Sequence, residues 1–283
     1  VLRQKAVGAM TNPYDLIFRP KVIRLESGNS VEKKATRLPI IILLLVALTY
    51  ISVRVTDFDV RVLAKRGHQF FVILEKIFVP DFKFTKHVWT PLFNTIQMSV
   101  MGSFVGCILA LPFSVLNASN IMTNKTVLFI SRIILSVLRT LPTLVMALIA
   151  TLIFNLGTFA GTVAIALFTL SMVTKMMYEY IETVDMGAYE AAEALGATKT
   201  KAFVSAILPQ ILPSYLSTCL YCVETTVRHS AVLGYVGAGG IGLTLSERIS
   251  LREYHQVGTI LFMLFVAVVI IENTSKYLRK KLA

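Results

Sequence analysis

The chain has 283 residues, 55% of them hydrophobic and only 16% charged, a balance that excludes an ordinary soluble globular domain. Several stretches approach or exceed the roughly 18 apolar residues that cross a bilayer, so the fold class expected is all-α, a polytopic membrane protein. The formal net charge of +12 does not point to nucleic acid, because the basic residues gather beside and between the apolar runs, where they orient a membrane chain.

Residues 1–37 are polar and basic, with Pro13, Pro20 and Gly28 interrupting any long helix, and are expected to form a cytoplasmic tail or surface helix. Residues 38–90 hold the first span, Leu38 to Val53, and an outer segment of mixed charge with a short helix around Phe70 to Phe78. The remaining chain, 91–283, carries the other spans. The second runs from Pro91 to Leu116 and bears Gly102, Ser103, Gly106 and Ala110 on one small-residue stripe that lets another helix approach closely; Pro112 is expected to kink its inner end. Val127 to Arg139 carries Arg132 and Arg139 on one face and reads as an amphipathic interfacial helix. A short third span, Thr140 to Phe154, is opened by Pro142. The turn Asn155-Leu156-Gly157 leads to a fourth, Phe159 to Met177.

The polar interruption 179–209 falls on the cytoplasmic side by this alternation. A fifth span follows from Ser214 to Val236, then an outer glycine-opened loop from Gly237 to Tyr254, then a sixth span from Val257 to Glu272. Lys276, Arg279, Lys280 and Lys281 follow it, so both ends are expected in the cytoplasm and about six transmembrane helices in all. Cys107, Cys219 and Cys222 all lie in apolar segments and read as small packing residues rather than a disulfide framework or metal site.

Within the interruption, Glu190 to Leu195 consists of strong helix formers, Gly196 can close that helix in a left-handed conformation, and Ala202 to Leu208 resumes a helix that Pro209 is expected to end. Small exposed alanines could seat such a helix in a partner's groove, with Glu190 and Glu193 near its positive end. A surface helical hairpin without a partner remains the plain alternative. In the fifth span Glu224 and Arg228 lie four residues apart on one face. Charges at membrane depth are expensive, so they should face the bundle interior and pair. Either a structural ion pair or a place on a substrate path fits, since a guanidinium matches oxyanion geometry. Lys175 with Glu179 one turn on reads as an interfacial pair, or as a gate-side anion contact. Gly237, Gly239 and Gly240 sit in a dense glycine run that can expose backbone amides. No glycine precedes a lysine, so no phosphate-binding loop is present.

The segment Glu190-Ala191-Ala192, Gly196, Ala206, Leu208-Pro209 resembles the signature of ABC importer permeases, with Ala206 where a larger aliphatic residue is usual. The run Glu224 to Gly242, including Arg228 and Ser230, is similar to phosphonate-type permeases, supported by Arg139-Thr-Leu-Pro142, Phe159-Ala-Gly161, Lys175 and Arg279. The resemblance covers about Thr95 to the C-terminus and implies a type I ABC importer permease fold, in which the 179–209 loop holds a coupling helix. It implies two copies of a separate ABC ATPase, which bind the ATP and Mg, so that this chain has no cofactor and is not itself an enzyme. It further implies a second permease, identical or related, an external substrate-binding protein, surrounding membrane lipid, and phosphonate, phosphite or phosphate-like cargo. The glycine core is shared with methionine and osmoprotectant permeases, which are the alternative. An intramembrane enzyme would want paired His, Asp or Ser at membrane depth, and a secondary transporter matched halves with broken helices; neither pattern is found.

Overall fold

The structure, a computed structural model, describes residues 21–24, 30–33, 38–56, 58 and 60–282. It divides into two compact units, 1–69 and 70–283. In the first unit, strands β1 (Lys21–Arg24) and β2 (Ser30–Lys33) pair antiparallel. Where a tail or surface helix was expected, the described residues therefore form a short hairpin. Helix α1 (Leu38–Val55) is apolar along most of its length. Helix α2 (Val60–Phe78) begins ten residues earlier than the short helix expected at Phe70; its charges fall on one face and its phenyls and aliphatics on the other, the pattern of an amphipathic helix.

The second unit is helical. A 3₁₀ turn (Phe82–Phe84) runs into α3 (Thr85–Asn117), followed by α4 (Lys125–Thr140), α5 (Thr143–Phe154), α6 (Thr158–Thr183), α7 (Gly187–Ala194), α8 (Lys199–Ala202), a π-helical turn (Phe203–Ile207), α9 (Leu208–Leu233), a 3₁₀ turn (Gly234–Val236), α10 (Ile241–Ser250) and α11 (Tyr254–Leu282). Among the described residues, four helical stretches are long and apolar enough to cross a membrane: Phe82–Asn117, Thr158–Thr183, Lys199–Val236 and Tyr254–Leu282. Helices α4 and α5 qualify together, bent by 96° at Leu141-Pro142. At 12 residues α5 alone is too short to span, so the third span expected over Thr140 to Phe154 is one limb of this bent pair. By length and composition this makes four spans, or five with the bent pair, and the expected six is reached only if the shorter α1 also crosses.

Four boundaries differ from expectation. Pro91 and Pro112 both lie inside α3, which continues through them. Pro209 does not stop the helix either: it sits in the first turn of α9, directly after the π turn, where Leu208 N–H bonds to Phe203 O. Proline supplies no N–H to the turn behind it, and the wider π turn relaxes the helix where that bond is missing. The glycine-opened stretch is only partly loop, since α10 occupies ten of its residues. The last helix runs ten residues past Glu272, to Leu282.

Helices α3 and α6 form the most extensive pair. The small-residue stripe explains it: Gly102, Ser103, Gly106 and Ala110 are all buried, and a Cβ on Gly106 would stand 2.6 Å from Ala166 O. Backbones this close gain packing that larger side chains would forbid. Large apolar residues such as Phe104 and Leu152 point outward, as a lipid-solvated bundle requires.

Candidate functional site

At one end of the bundle, the α6–α9 connection builds a projecting knob. Helix α7 closes as expected at Gly196, whose φ is +87°. Gly196 N–H bonds to Glu193 O (2.9 Å) and Ala197 N–H to Ala192 O (3.1 Å), the paired 5→2 and 6→1 bonds of a Schellman cap. Glu190, Ala191, Ala194 and Gly196 are exposed, and Leu195 at the tip is 90% exposed. Ala192 turns inward with Ala197, Ala206 and Leu208, against a cluster containing Tyr189, Phe203 and Ile207. Tyr189 is buried beneath the helix and donates to Glu193 Oε1 (3.2 Å). Its burial and that carboxylate push the phenol above its ordinary pKa, so it stays a donor. Pro209 is exposed at the base of the knob.

Beneath the knob the neighbouring helix ends are bolted to one another, and Asn120 reaches the residue just ahead of α7. Arg132 of α4 donates through Nη2 (2.7 Å) and Nε (3.1 Å) to Asn117 O, the last turn of α3, and also bonds to Glu182 of α6. Glu182 in turn accepts from Ser119 N–H (2.8 Å) and Ser119 Oγ (2.6 Å). Asn120 Nδ2 donates to Ile181 O (2.8 Å) and contacts Met186 Sδ, immediately ahead of α7. Arg132 and Lys175 both lie over the Tyr178 ring, 4.8 and 4.7 Å from its centre. Lys175 bonds to Glu179 and to Tyr178 Oη (2.6 Å), the pair the sequence suggested.

Deeper in the bundle, Glu224 and Arg228 pair as their spacing required (2.5 Å), but they are not alone. Arg279 Nη2 of α11 reaches the second oxygen of Glu224 (3.0 Å), Arg228 also approaches Glu272 (3.4 Å), and Lys276 holds the other oxygen of Glu272 (2.5 Å). The Glu224 side chain is 7% exposed, whereas Arg228 is 49% exposed. Both oxygens of the buried Glu224 carboxyl are occupied by guanidiniums, and the open side of Arg228 leaves donor capacity for a second anion. His229 is exposed and tilts against Phe168.

Ser230 is fully buried in the α3–α9 seam, where Ser99 Oγ donates to it (2.9 Å). The same seam holds Ser103 and Thr226 (2.7 Å), and Tyr215 Oη donates to Cys107 O (2.7 Å). Sequence reasoning missed this ladder, although Thr95, Ser99 and Ser103, and likewise Thr226 and Ser230, recur at four-residue spacing. It also missed Glu272, which reads as the end of a span rather than as a member of the ion network.

At the opposite end, Gly237, Gly239 and Gly240 all have positive φ. Their neighbourhood is knitted rather than open: Gly237 N–H bonds to Gly234 O, Gly157 N–H to Gly237 O (3.0 Å), Ala238 N–H to Leu233 O, and Ile241 N–H to Thr95 Oγ1 (2.7 Å). The 155–157 turn, the glycine run and the first third of α3 thus form one packed lid. Among the described residues no group of three or more His, Cys, Asp or Glu could hold a metal ion, and the three cysteines are unpaired.

A bundle of long apolar helices, close-packed on small residues and interrupted by a capped helical knob, defines a helical membrane transport component. Residues 102–281 match the family described as binding-protein-dependent transport system inner membrane component, and the chain belongs to that family. It is 34% identical over 201 residues to the phosphite transport system permease protein PtxC of Stutzerimonas stutzeri, covering 71% of this chain and 73% of that one. It is 31% identical over 195 residues to the phosphate-import permease protein PhnE of Mycolicibacterium smegmatis, covering 69% of this chain but only 37% of that longer relative. In fold it is similar to a chain of the inward-facing MetNI methionine ABC transporter, with a TM-score of 0.63, 21% identity, and coverage of 72% of this chain and 99% of that one.

Proposed function

We propose that this chain is the permease subunit of an ATP-driven ABC importer that moves phosphite, phosphonate or phosphate-like oxyanions into the cell. The observation that carries the reading is the knob: an eight-residue helix with exposed Glu190, Ala191 and Ala194, followed by exposed Leu195 and capped at Gly196, next to the place where hydrogen bonds and ion pairs join the ends of α3, α4 and α6. Exposed small residues around one protruding Leu fit a groove in another protein. The rigid base passes displacement of the knob into three helices at once. Glu190, Ala191, Ala192, Gly196, Leu208 and Pro209 are assigned to this coupling, and a separate ATPase, two copies per transporter, supplies the ATP and Mg chemistry. The knob and both chain ends lie in the cytoplasm. A second permease copy or a related subunit completes the pathway, and an external binding protein delivers cargo at the end formed by Gly237, Gly239 and Gly240.

The cargo class rests on the named relatives and on Arg228, whose half-open guanidinium in the Glu224–Arg279 network can exchange partners with a passing oxyanion. Ser230 pins the opposite face of α9 to α3 and so fixes the rotation that presents Arg228, and Lys175 offers a second cation nearer the knob. Reconstituted vesicles supplied with the binding protein and ATP should accumulate a labelled oxyanion, with phosphite, methylphosphonate and phosphate competing. Arg228→Ala should cut uptake by roughly tenfold, the loss of one charge-assisted contact, while the complex still assembles. Accumulation of methionine untouched by any oxyanion would move the chain to the alternative cargo class.

A further inference from the structure

The outer surface between α3 and α11 is not flat. A groove of about 410 Å³ runs between the two helices, floored by Leu92, Ile96 and Val266, walled by Trp89 and Ile270, with Thr85 as its single hydroxyl. From Thr85 to Ile96 it extends eleven residues along α3, about 16 Å at helical rise, which matches one leaflet of a hydrocarbon core about 30 Å thick. At its mouth Phe82 meets Phe262 edge to face, with ring centres 6.3 Å apart. Lys83 and Lys86, one and four residues after Phe82 in the chain, are both exposed. The Asp81 carboxylate accepts from the Lys83 backbone N–H as the cap of the 3₁₀ turn. The mouth is also held rigidly: His255 Nδ1 lies 2.8 Å from Val79 O, and Thr259 Oγ1 donates to Asp81 O (2.9 Å).

We propose that this groove binds a phospholipid with an anionic headgroup, one acyl chain lying between Trp89 and Ile270 and the phosphate held by Lys83 and Lys86. Length along the membrane normal, an apolar lining and two cations at the headgroup level fit this occupant and no polar ligand. Trp89, one turn into α3, sits where indole is favoured, with its ring at the border between hydrocarbon and headgroups.

Trp89 is also the single tryptophan of the chain, so its fluorescence reports on the groove directly. The full chain is reconstituted alone in phosphatidylcholine vesicles containing a minor fraction of acyl-brominated phosphatidylglycerol, or the same fraction of acyl-brominated phosphatidylcholine. The brominated phosphatidylglycerol should quench Trp89 as if enriched roughly thirtyfold, from two lysines each acting near the surface. The K83Q/K86Q double variant, changed only at exposed side chains, should lose that preference and keep the quenching by brominated phosphatidylcholine. Equal quenching of the unaltered chain by both lipids overturns the headgroup assignment. Protection from both bromolipids and from acrylamide means that a protein helix, from this chain or a second copy, fills the groove, and strong acrylamide quenching means water; either result overturns the proposal.

Discussion

Gly196 and Glu224 show how differently one residue can matter. A Cβ at Gly196 would meet nothing within 4 Å, so the demand is purely conformational, a φ of +87°. An ordinary L-residue pays about 1–2 kcal/mol to hold that region, whereas Asn tolerates it. Gly196→Val should therefore abolish cargo-stimulated ATP hydrolysis in the assembled transporter, while Gly196→Asn keeps most of it; equal loss in both would mean that the position acts by bulk at the docking surface instead. Glu224 is demanding for the opposite reason, because it is enclosed by Arg228 and Arg279. Glu224→Gln leaves two guanidiniums facing each other; breaking a fully buried pair costs about 3–5 kcal/mol, and the loss here falls below that because Arg228 is half-exposed and keeps Glu272. The variant should lose its folded complex at a markedly lower temperature in detergent, and Arg279→Lys should fall between it and the parent. The first residue was legible in the sequence because a left-handed cap has a local signature. The second was half legible: spacing named Arg228, but Arg279 and Glu272 come from 55 and 48 residues away, and no local pattern announces them.

At the scale of elements, two devices set how the bundle moves. The hydroxyl ladder Ser99–Ser230 and Ser103–Thr226 joins α3 to α9. Such bonds average about 0.6 kcal/mol within membranes, so Ser103→Ala with Thr226→Val should shift thermal stability only slightly and leave uptake near normal. The clamp at the knob's base is different in kind, since Arg132 engages the end of α3 and Glu182 of α6 simultaneously. Arg132→Gln should leave the complex assembled but lower the ratio of cargo moved to ATP hydrolysed, measured in the same vesicles; an unchanged ratio would remove Arg132 from the force path. Arg132 was visible as one charge of an amphipathic helix. Its carboxylate partner, 50 positions later, was not, because the pairing depends on where the bend at Pro142 and the end of α6 bring the helices.

For the whole molecule, the topology makes a simple demand: the knob and the glycine lid lie at opposite ends of the bundle. In a cysteine-light background, Ala194→Cys should react with an impermeant maleimide only in inverted vesicles and Tyr235→Cys only in intact cells. Ala194→Cys labelling in intact cells would place the coupling knob on the wrong side. The sequence by itself determined the apolar spans, the small-residue stripe, the Gly196 cap and the Glu224–Arg228 pair, because each depends on residues within a few turns of helix, where spacing alone dictates geometry. It also misjudged Pro209, since a proline's effect depends on whether the preceding turn can widen. Only the tertiary structure decided which helix the stripe meets, that Ser230 is sealed in a seam, that the Gly237 amide is already engaged by Gly234 O, and that Glu224 is held from two helices. Those are contacts between segments far apart in the chain, selected by packing that no local pattern encodes.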